Sequence, residues 1–223
     1  MKRKKIVALL PMKEKSERII GKNFKNFSGK PLFLWILDSL QKIEAIDSII
    51  INTDAQDSLL ENGLIESERI VLRNRSEHLR GDHVSMNLII EDDIKSIDSD
   101  LYLMTHTTNP LLTSKTISTA INLFLNQSDH DSLFTVSKIQ TRFYDENVIP
   151  INHDPNNLIR TQDLPTWYEE NSCLYIFSKE SFNKTNARIG SSPMMCPVSK
   201  NESVDIDDID DWKIAESIMN SRA

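Results

Sequence analysis

Short apolar segments alternate with helical segments along most of the chain, and this alternation restricts the fold more than any other feature of the sequence. Residues 6–10 are continuously apolar, as expected of a strand buried on both faces. Similar patterns predict strands at 48–54, 69–72, 101–104, 132–136 and 173–177, and helices over 31–43, 82–97, 113–125 and 210–219. Strands separated by helices predict an α/β fold with a largely parallel sheet.

One stretch interrupts this pattern. Between about 138 and 170 the helical periodicity disappears, and residues 153–157 have turn chemistry. We expect this stretch to leave the main sheet as a small, strand-rich arm. The sequence has no repeat or obvious linker, and 223 residues suffice to bury one full core. We therefore predict a single domain over residues 1–223, with the arm inserted at about 138–170.

The charge of the chain is unevenly distributed. Residues 1–30 contain ten Lys and Arg against two Glu, whereas five Asp lie within 205–211. A basic segment suits phosphates, and an acidic segment suits a metal ion. The formal net charge of -7 argues against nucleic acid as the main partner.

Composition disfavours several other classes of protein. No apolar run approaches the roughly 20 residues of a membrane span, and the run at 6–11 is too short for a signal peptide. We therefore expect a cytoplasmic protein that does not bind a membrane. Two cysteines support neither a disulfide framework nor a four-ligand zinc site. The chain has neither a P-loop nor a GxGxxG loop, which disfavours P-loop kinases and dinucleotide dehydrogenases.

The loop after the first predicted strand carries four cations: Lys13, Lys15, Arg18 and Lys22. In an open parallel sheet, ligands bind beyond the carboxyl ends of the strands. The loop is therefore placed to bind a polyanion. A solvated basic loop without a ligand is the alternative interpretation of the same residues.

This loop also carries a family resemblance. Residues 10–23 read L-P-x-K-x-x-S-x-R-x-x-G-K-N, and S-G-K-P-L follows at 28–32. The pattern resembles the signature of the CMP-sugar synthetases, roughly P-A-R-x-x-S-K/T-x-x-P-x-K-N and then G-K-P-L. The resemblance implies a Rossmann-like nucleotidyltransferase fold with a small dimerisation arm. It implies nucleotide binding by Leu10, Pro11, Lys13, Ser16 and Asn23, and catalytic roles for Lys13, Arg18 and Lys22.

A second segment extends the resemblance. Residues 75–85 read R-S-E-H-L-x-x-D-x-x-S and are similar to the family's R-P-x-x-L-x-x-D-x-x-S. The resemblance implies that Arg75 and Ser85 contact the cytosine, and a buried guanidinium that donates to the base carbonyl is a reasonable basis for pyrimidine selection. The alternative is that Asp82 caps a helix and Arg75 is an exposed loop charge.

Three further positions resemble the sugar-binding parts of the family. His106 occupies the position of a Gln that touches the acyl sugar, Arg160 and Gln162 lie in R-T-Q-D-L-P, and Glu170 and Asn171 lie in E-N-S. The resemblance places these segments near the sugar and the partner subunit. Arg160 is the candidate for the sugar carboxylate, because Arg binds carboxylates in a bidentate manner. The alternatives are a structural histidine and an interface salt bridge.

The last motif, D-I-D-D-I-D-D at 205–211, is similar to the family's D-I-D-x-x-x-D. Asp205 and Asp207 would point to one face of a predicted strand, and two carboxylates with no basic neighbour repel each other unless a cation lies between them. We expect Mg²⁺, which one or two carboxylates hold together with water and phosphate oxygens. Asp208, Asp210 and Asp211 suit the start of a helix.

Together these motifs predict a CTP-dependent cytidylyltransferase that activates a nine-carbon 2-keto sugar acid of the N-acylneuraminate, legionaminate or pseudaminate type. The partners are then CTP, the keto acid and a second copy of the chain in a homodimer, which the arm and Trp167–Tyr168 would form. Packing of Trp167–Tyr168 on its own domain is the alternative. One alternative is activation of 3-deoxy-manno-octulosonate, which Ser16 and Arg18 suggest. Another is a catalytically silent nucleotide-binding subunit, because Lys13 and Glu17 depart from the family pattern.

Overall fold

A central seven-stranded sheet organises the fold. The computed structural model describes residues 3–222. Its strands are β1 (Ile6–Leu9), β2 (Asn26–Phe27), β3 (Lys30–Pro31), β4 (Ser48–Thr53), β5 (Ile70–Asn74), β6 (Leu101–Thr105), β7 (Ser132–Ile139), β8 (Trp167–Phe177) and β9 (Pro193–Pro197). Its α-helices are α1 (Leu32–Gln41), α2 (Gln56–Glu61), α3 (Met86–Ser96), α4 (Ser114–Leu125), α5 (Lys179–Thr185) and α6 (Ile209–Asn220).

The sheet is mostly parallel, as predicted. Its strand order is β5-β4-β1-β6-β8-β7-β9, and β2 pairs with β3 in a separate small hairpin. Strands β5, β4, β1 and β6 are parallel to one another, β8 runs antiparallel to both β6 and β7, and β9 is parallel to β7. The loops that follow β1, β4, β5 and β6 therefore emerge at one edge of the sheet.

Helices cover both faces of the sheet and bury β1 completely. Ala8 faces the core formed with α1 and α4, where Ile36 and Ile117 are inaccessible to solvent. Val7 and its second neighbour Leu9 face the opposite core, formed with α3. Because side chains alternate along a strand, a strand covered on both faces has a continuously apolar sequence. The prediction for residues 6–10 is confirmed.

Several predicted boundaries differ from the structure. Helix α3 begins at Met86, not at residue 82, because Asp82 lies in a loop and forms an ion pair with Lys13. The strand predicted around Asp205 and Asp207 is an extended segment outside the sheet, where Ile206 N donates to Thr108 O and Ile206 O accepts from Lys22. The sequence patterns did not predict α5 or β9, which are seven and five residues long.

The arm has fewer strands than predicted. Strands β7 and β8 extend into it as far as Ile139 and Trp167, but between them the described residues form one isolated bridge, Tyr144 to Pro150, and a short 3₁₀ turn. The register of β7 and β8 shifts at a bulge, where Ser172 has a φ of 56°. Turn residues and prolines limit regular pairing here. None of the helices in residues 3–222 is long and apolar enough to cross a membrane.

Candidate active site

A cavity of about 310 Å³ lies at the edge of the sheet where β1, β5 and β6 end. Four separate segments of the sequence contribute the predicted site residues that line it. These residues are Pro11, Lys13, Ser16, Arg18, Lys22, Asn23, Arg75, His106 and Asp207. The structure therefore brings together the basic loop, the predicted base site, the loop after β6 and the acidic segment.

Asn23 anchors the basic loop to the rest of the site. Its Nδ2 donates to the carbonyl oxygen of Lys13 at 2.8 Å, and its Oδ1 accepts from the Thr107 hydroxyl at 2.7 Å. The side chain is buried, so these two bonds fix the loop against the segment after β6. Leu10 is also buried, but it packs in the sheet core and does not line the cavity.

Three cations of the loop surround the cavity, and each is held by an oxygen. Lys13 forms an ion pair with Asp82, and Arg18 Nη1 lies 2.9 Å from Asp207 Oδ2. Lys22 Nζ donates to the carbonyl oxygen of Ile206 at 2.6 Å. Burial lowers the pKa of Lys22, although the neighbouring carboxylates act in the opposite direction. The loop thus presents positive charge to the cavity in a defined geometry.

Arg75 is buried in the wall of the cavity, with 4% of its surface exposed, and is not an exposed loop charge. Its Nε donates to Asn52 Oδ1 at 3.0 Å, and its Nη2 donates to the carbonyl oxygens of Met12 and Asn52 at 3.0 and 2.7 Å. The Asn52 amide in turn donates to buried Asp93. These bonds use Nε and Nη2, which leaves Nη1 for a ligand in the cavity.

The two predicted metal ligands occupy different environments. Asp207 lines the cavity, whereas Asp205 is more enclosed, and burial raises its pKa against the effect of a hydrogen bond with Thr108. The expectation that the two carboxylates have no basic neighbour is wrong, because Arg18 pairs with Asp207 and Lys22 lies near both. They also lie on an irregular segment, so strand alternation does not place them.

The Asp205 carboxylate has an oxygen that suits a cation. Oδ1 is buried and has no hydrogen-bond partner among residues 3–222. In that part of the chain no three acidic, His or Cys side chains form a ready metal cluster. Mg²⁺ does not require one, because it commonly binds one or two carboxylates and completes its shell with water and phosphate oxygens. Asp205 and Asp207 therefore fit a Mg²⁺ that arrives with a nucleotide.

The remaining acidic residues start α6, as predicted. The Asp208 side chain accepts from the backbone N–H groups of Asp210 and Asp211. The Asp211 side chain accepts from the backbone N–H groups of Asp207 and Asp208, which completes a capping box. This cap also fixes the main chain of Asp207 beside the cavity.

His106 lines the cavity and contacts an arginine that the sequence patterns did not single out. His106 Nε2 lies 3.4 Å from Arg188 Nη1. Burial, followed by the positive charges of Arg188 and Lys22, lowers the pKa of His106 to about 3. The ring is therefore neutral at pH 7. Because a guanidinium can only donate, Nε2 accepts and the proton resides on Nδ1.

The other predicted sugar-binding residues do not line this cavity. Arg160 forms an exposed ion pair with Asp163, and the Gln162 carbonyl accepts from Gln140, both within the arm. Asn171 is buried at the bulge, with its amide 3.2 Å from the Ser137 hydroxyl. The Asn171 side chain links β7 and β8 and does not face a cavity.

Two predicted residues lie beside the cavity without lining it. Glu170 accepts a hydrogen bond from the Tyr175 hydroxyl and lies 3.6 Å from Arg188. Ser85 precedes α3 and lines a second, adjacent cavity. No sequence motif indicates Arg188, which lies in the segment between α5 and β9.

Comparison with known proteins shows that the chain is similar to cytidylyltransferases. Residues 7–201 match the family described as cytidylyltransferase. The pseudaminic acid cytidylyltransferase of Campylobacter jejuni is 22% identical over 95% of each chain. The CMP-N,N'-diacetyllegionaminic acid synthase of Legionella pneumophila is 24% identical over 96% of each chain. The N-acylneuraminate cytidylyltransferase of Escherichia coli is 21% identical over 99% of this chain and 53% of its own length.

Solved structures confirm the fold. A CMP:2-keto-3-deoxy-manno-octonic acid synthetase complexed with CTP superposes with a TM-score of 0.69 at 12% identity, over 98% of this chain and 100% of its own. The 4-diphosphocytidyl-2C-methyl-D-erythritol synthase of Anaerococcus prevotii gives a TM-score of 0.71 at 14% identity, over 97% and 96% of the two chains. Because the family match covers most of the sequence, the chain belongs to the cytidylyltransferase family.

Proposed function

We propose that the protein transfers CMP from CTP to the anomeric hydroxyl of a nine-carbon 2-keto sugar acid and releases pyrophosphate. The observation that carries this proposal is the convergence of Arg75, three loop cations and Asp207 on one cavity. Arg75 suits a base, the loop cations suit a triphosphate, and Asp207 suits a metal ion. The names of the relatives, which refer to pseudaminic, legionaminic and N-acylneuraminic acids, support this class of acceptor.

The nucleotide would occupy the cavity between the base-reading arginine and the basic loop. Arg75 Nη1 donates to the base carbonyl, and Ser85 is the second candidate for a base contact. Lys13, Arg18 and Lys22 bind the phosphates, for which Lys13 and Arg18 exchange their present carboxylate partners. Fixed positive charge around the phosphates stabilises the charge that develops during transfer.

In the reaction, the anomeric hydroxyl attacks the α-phosphorus and the bond to the pyrophosphate oxygen breaks. Asp205 and Asp207 would hold Mg²⁺, which would neutralise phosphate charge and lower the pKa of the attacking hydroxyl. His106 does not suit the role of general base, because the lone pair of its Nε2 faces Arg188. It is suited to donate from Nδ1 to an acceptor oxygen.

The arm supports a homodimer. Several large apolar side chains are exposed on it, namely Val148, Ile149, Ile151, Leu158, Trp167 and Tyr168. Such a cluster is typical of an interaction surface. In a dimer, Arg160 and Gln162 would reach a sugar bound to the partner, which gives these exposed side chains a role. A monomeric mass at micromolar concentration in light scattering would contradict this assembly.

Two other functions compete with the proposal. Activation of 3-deoxy-manno-octulosonate is one, and the fold similarity to the octonic acid synthetase is compatible with it. A silent nucleotide-binding subunit is the other, but Asp205 and Asp207 are both present and Arg75 is fully positioned. We also propose that the protein acts in the cytoplasm, as expected of an enzyme that consumes CTP.

The deciding experiment measures pyrophosphate release with Mg²⁺, a panel of keto sugar acids and each nucleoside triphosphate in turn. We expect turnover with CTP and at least one nine-carbon acid. Turnover with the octulosonate alone would support the first alternative. CTP binding without turnover on any acid would support the silent subunit.

A further inference from the structure

Arg188 lies between the nucleotide cavity and a second cavity of about 250 Å³. The second cavity is lined by Ser85, Met86 and Arg188, among others, and Met86 lines both. Arg188 also contacts His106, which lines the first cavity. The second cavity therefore adjoins the place where the nucleotide would bind.

The guanidinium of Arg188 is held in one orientation. Its Cζ lies 3.9 Å from the centre of the Tyr175 ring, a distance typical of a cation–π contact. The Tyr175 hydroxyl donates to Glu170, and Glu170 Oε1 lies 3.6 Å from Arg188 Nη2. The ring on one side and the histidine on another thus fix the plane of the guanidinium.

Despite this fixed position, most of the donors of Arg188 are unused. Its side chain is only 20% exposed, yet Nε and Nη2 have no hydrogen-bond partner within residues 3–222. Glu170 forms an ion pair with Arg188 at a distance too long for a hydrogen bond, and His106 is a neutral acceptor. Largely buried arginine donors are normally matched by oxygen acceptors. Arg188 is therefore suited to donate to the oxygen atoms of a ligand.

We propose that Arg188 binds an oxygen of the acceptor sugar acid in the second cavity and so determines which acceptors are used. The inference rests on the proposed function, because it requires that the acceptor bind beside CTP. Two groups of such an acceptor offer the required oxygens, its carboxylate and an acyl carbonyl. In either case Arg188, and not the exposed Arg160, is the arginine that reads the acceptor within one chain.

The test compares Arg188→Lys and Arg188→Met with the wild type in steady-state kinetics on the best acceptor. Lys keeps the charge without the fork of donors, and Met keeps the apolar part of the side chain on Tyr175. We expect KM for the acceptor to rise about 10- to 100-fold in both variants, as for other hydrogen bonds to charged groups. KM for CTP should change less than about threefold. Arg222→Ala, which removes an arginine that lines neither cavity and donates to the Leu111 carbonyl, is the matched control.

A second comparison identifies the oxygen. If Arg188 binds the carboxylate, the substitution should raise KM equally for an acylated acid and for an acid that lacks acyl groups. If Arg188 binds an acyl carbonyl, KM for the acid that lacks acyl groups should rise much less. An unchanged KM for every acceptor, with normal wild-type turnover and an unchanged melting temperature, would overturn the inference and leave the proposed function intact. Absence of wild-type turnover with every acid would overturn both.

Discussion

The candidate arginines of the nucleotide cavity and of the arm differ in burial and in hydrogen bonding. In the cavity, Arg75 is 4% exposed and donates three hydrogen bonds to residues from two other segments of the chain. In the arm, the Arg160 side chain is 73% exposed and pairs with a carboxylate three residues away. Both arginines lie in segments that resemble the same enzyme family, so sequence resemblance alone does not reveal this difference.

This difference in burial indicates which half of the proposed site is preorganised in a single chain. Side chains that are already fixed lose little conformational entropy when a ligand binds, whereas long exposed side chains must be ordered at the time of binding. The cavity half of the proposed site is therefore preorganised. Under the proposed function, the arm half would acquire its order from a partner or from the acceptor.

The largest effect that tests this comparison comes from the acidic pair. Asp207→Ala and Asp205→Ala should each lower kcat by about 1,000-fold or more, because they remove groups that would act on the transferred phosphate. CTP binding, measured by calorimetry, should remain detectable. Asp163→Ala in the arm, which removes the partner of Arg160, is the control and should leave kcat within a few-fold. Full activity of both cavity variants would refute the metal assignment.

Substitution of the buried arginine should have the next largest effect. Arg75→Lys cannot reproduce the fork that bonds Met12 and Asn52, so KM for CTP should rise about 10- to 100-fold and discrimination against UTP should weaken. Arg160→Lys, the same exchange in the arm, should leave KM for CTP unchanged. Equal effects of the two variants on KM for CTP would remove the distinction between the two regions.

Substitution of one asparagine in each region compares how much the hydrogen bonds of the two regions contribute to the free energy of unfolding. Asn23→Ala removes two buried hydrogen bonds and leaves the Thr107 hydroxyl unpaired, so the free energy of unfolding should fall by about 2–3 kcal/mol. Asn152→Ala in the arm also removes two hydrogen bonds, but at a partly exposed position, and should cost about 1 kcal/mol or less. Urea denaturation of both variants gives the comparison directly, and equal losses would contradict it.

The smallest expected effect concerns pH and His106, which is partly buried. The pKa of His106 in the folded protein, about 3, lies below its ordinary value of 6.5. Between these pH values the unfolded chain binds a proton that the folded chain does not. The contribution of His106 to the free energy of unfolding is therefore complete above pH 6.5 and is lost as the pH falls. From pH 7 to pH 5 this loss amounts to at most about 2 kcal/mol.

His106→Gln should remove this part of the acid destabilisation, as measured by urea denaturation at both pH values. His153→Gln in the arm is the matched control and should preserve the pH dependence of the wild type. An identical pH dependence in wild type and the His106 variant would show that the ring takes up its proton without cost in the folded protein.

The parallel half of the sheet and the basic loop could be predicted from the sequence, because buried strands and clustered cations leave strong local patterns. Arg75 was predicted as a base contact with a buried guanidinium, but its hydrogen-bond partners Asn52 and Met12 were not, since they come from other segments. Arg188 could not be found in this way, because only the fold brings it to Tyr175 and His106. The interruption of periodicity in the arm was visible, but its few strands were not.

The cap of α6 has a consequence for how assembly of the site can be observed. The backbone amides of Asp207 and Asp208 both donate to the Asp211 side chain, whose helix packs Trp212 against Phe27. These two amide protons can exchange with solvent deuterium only when the cap opens. Their exchange rates therefore report, residue by residue and without any substrate, how often the acidic wall of the cavity comes apart.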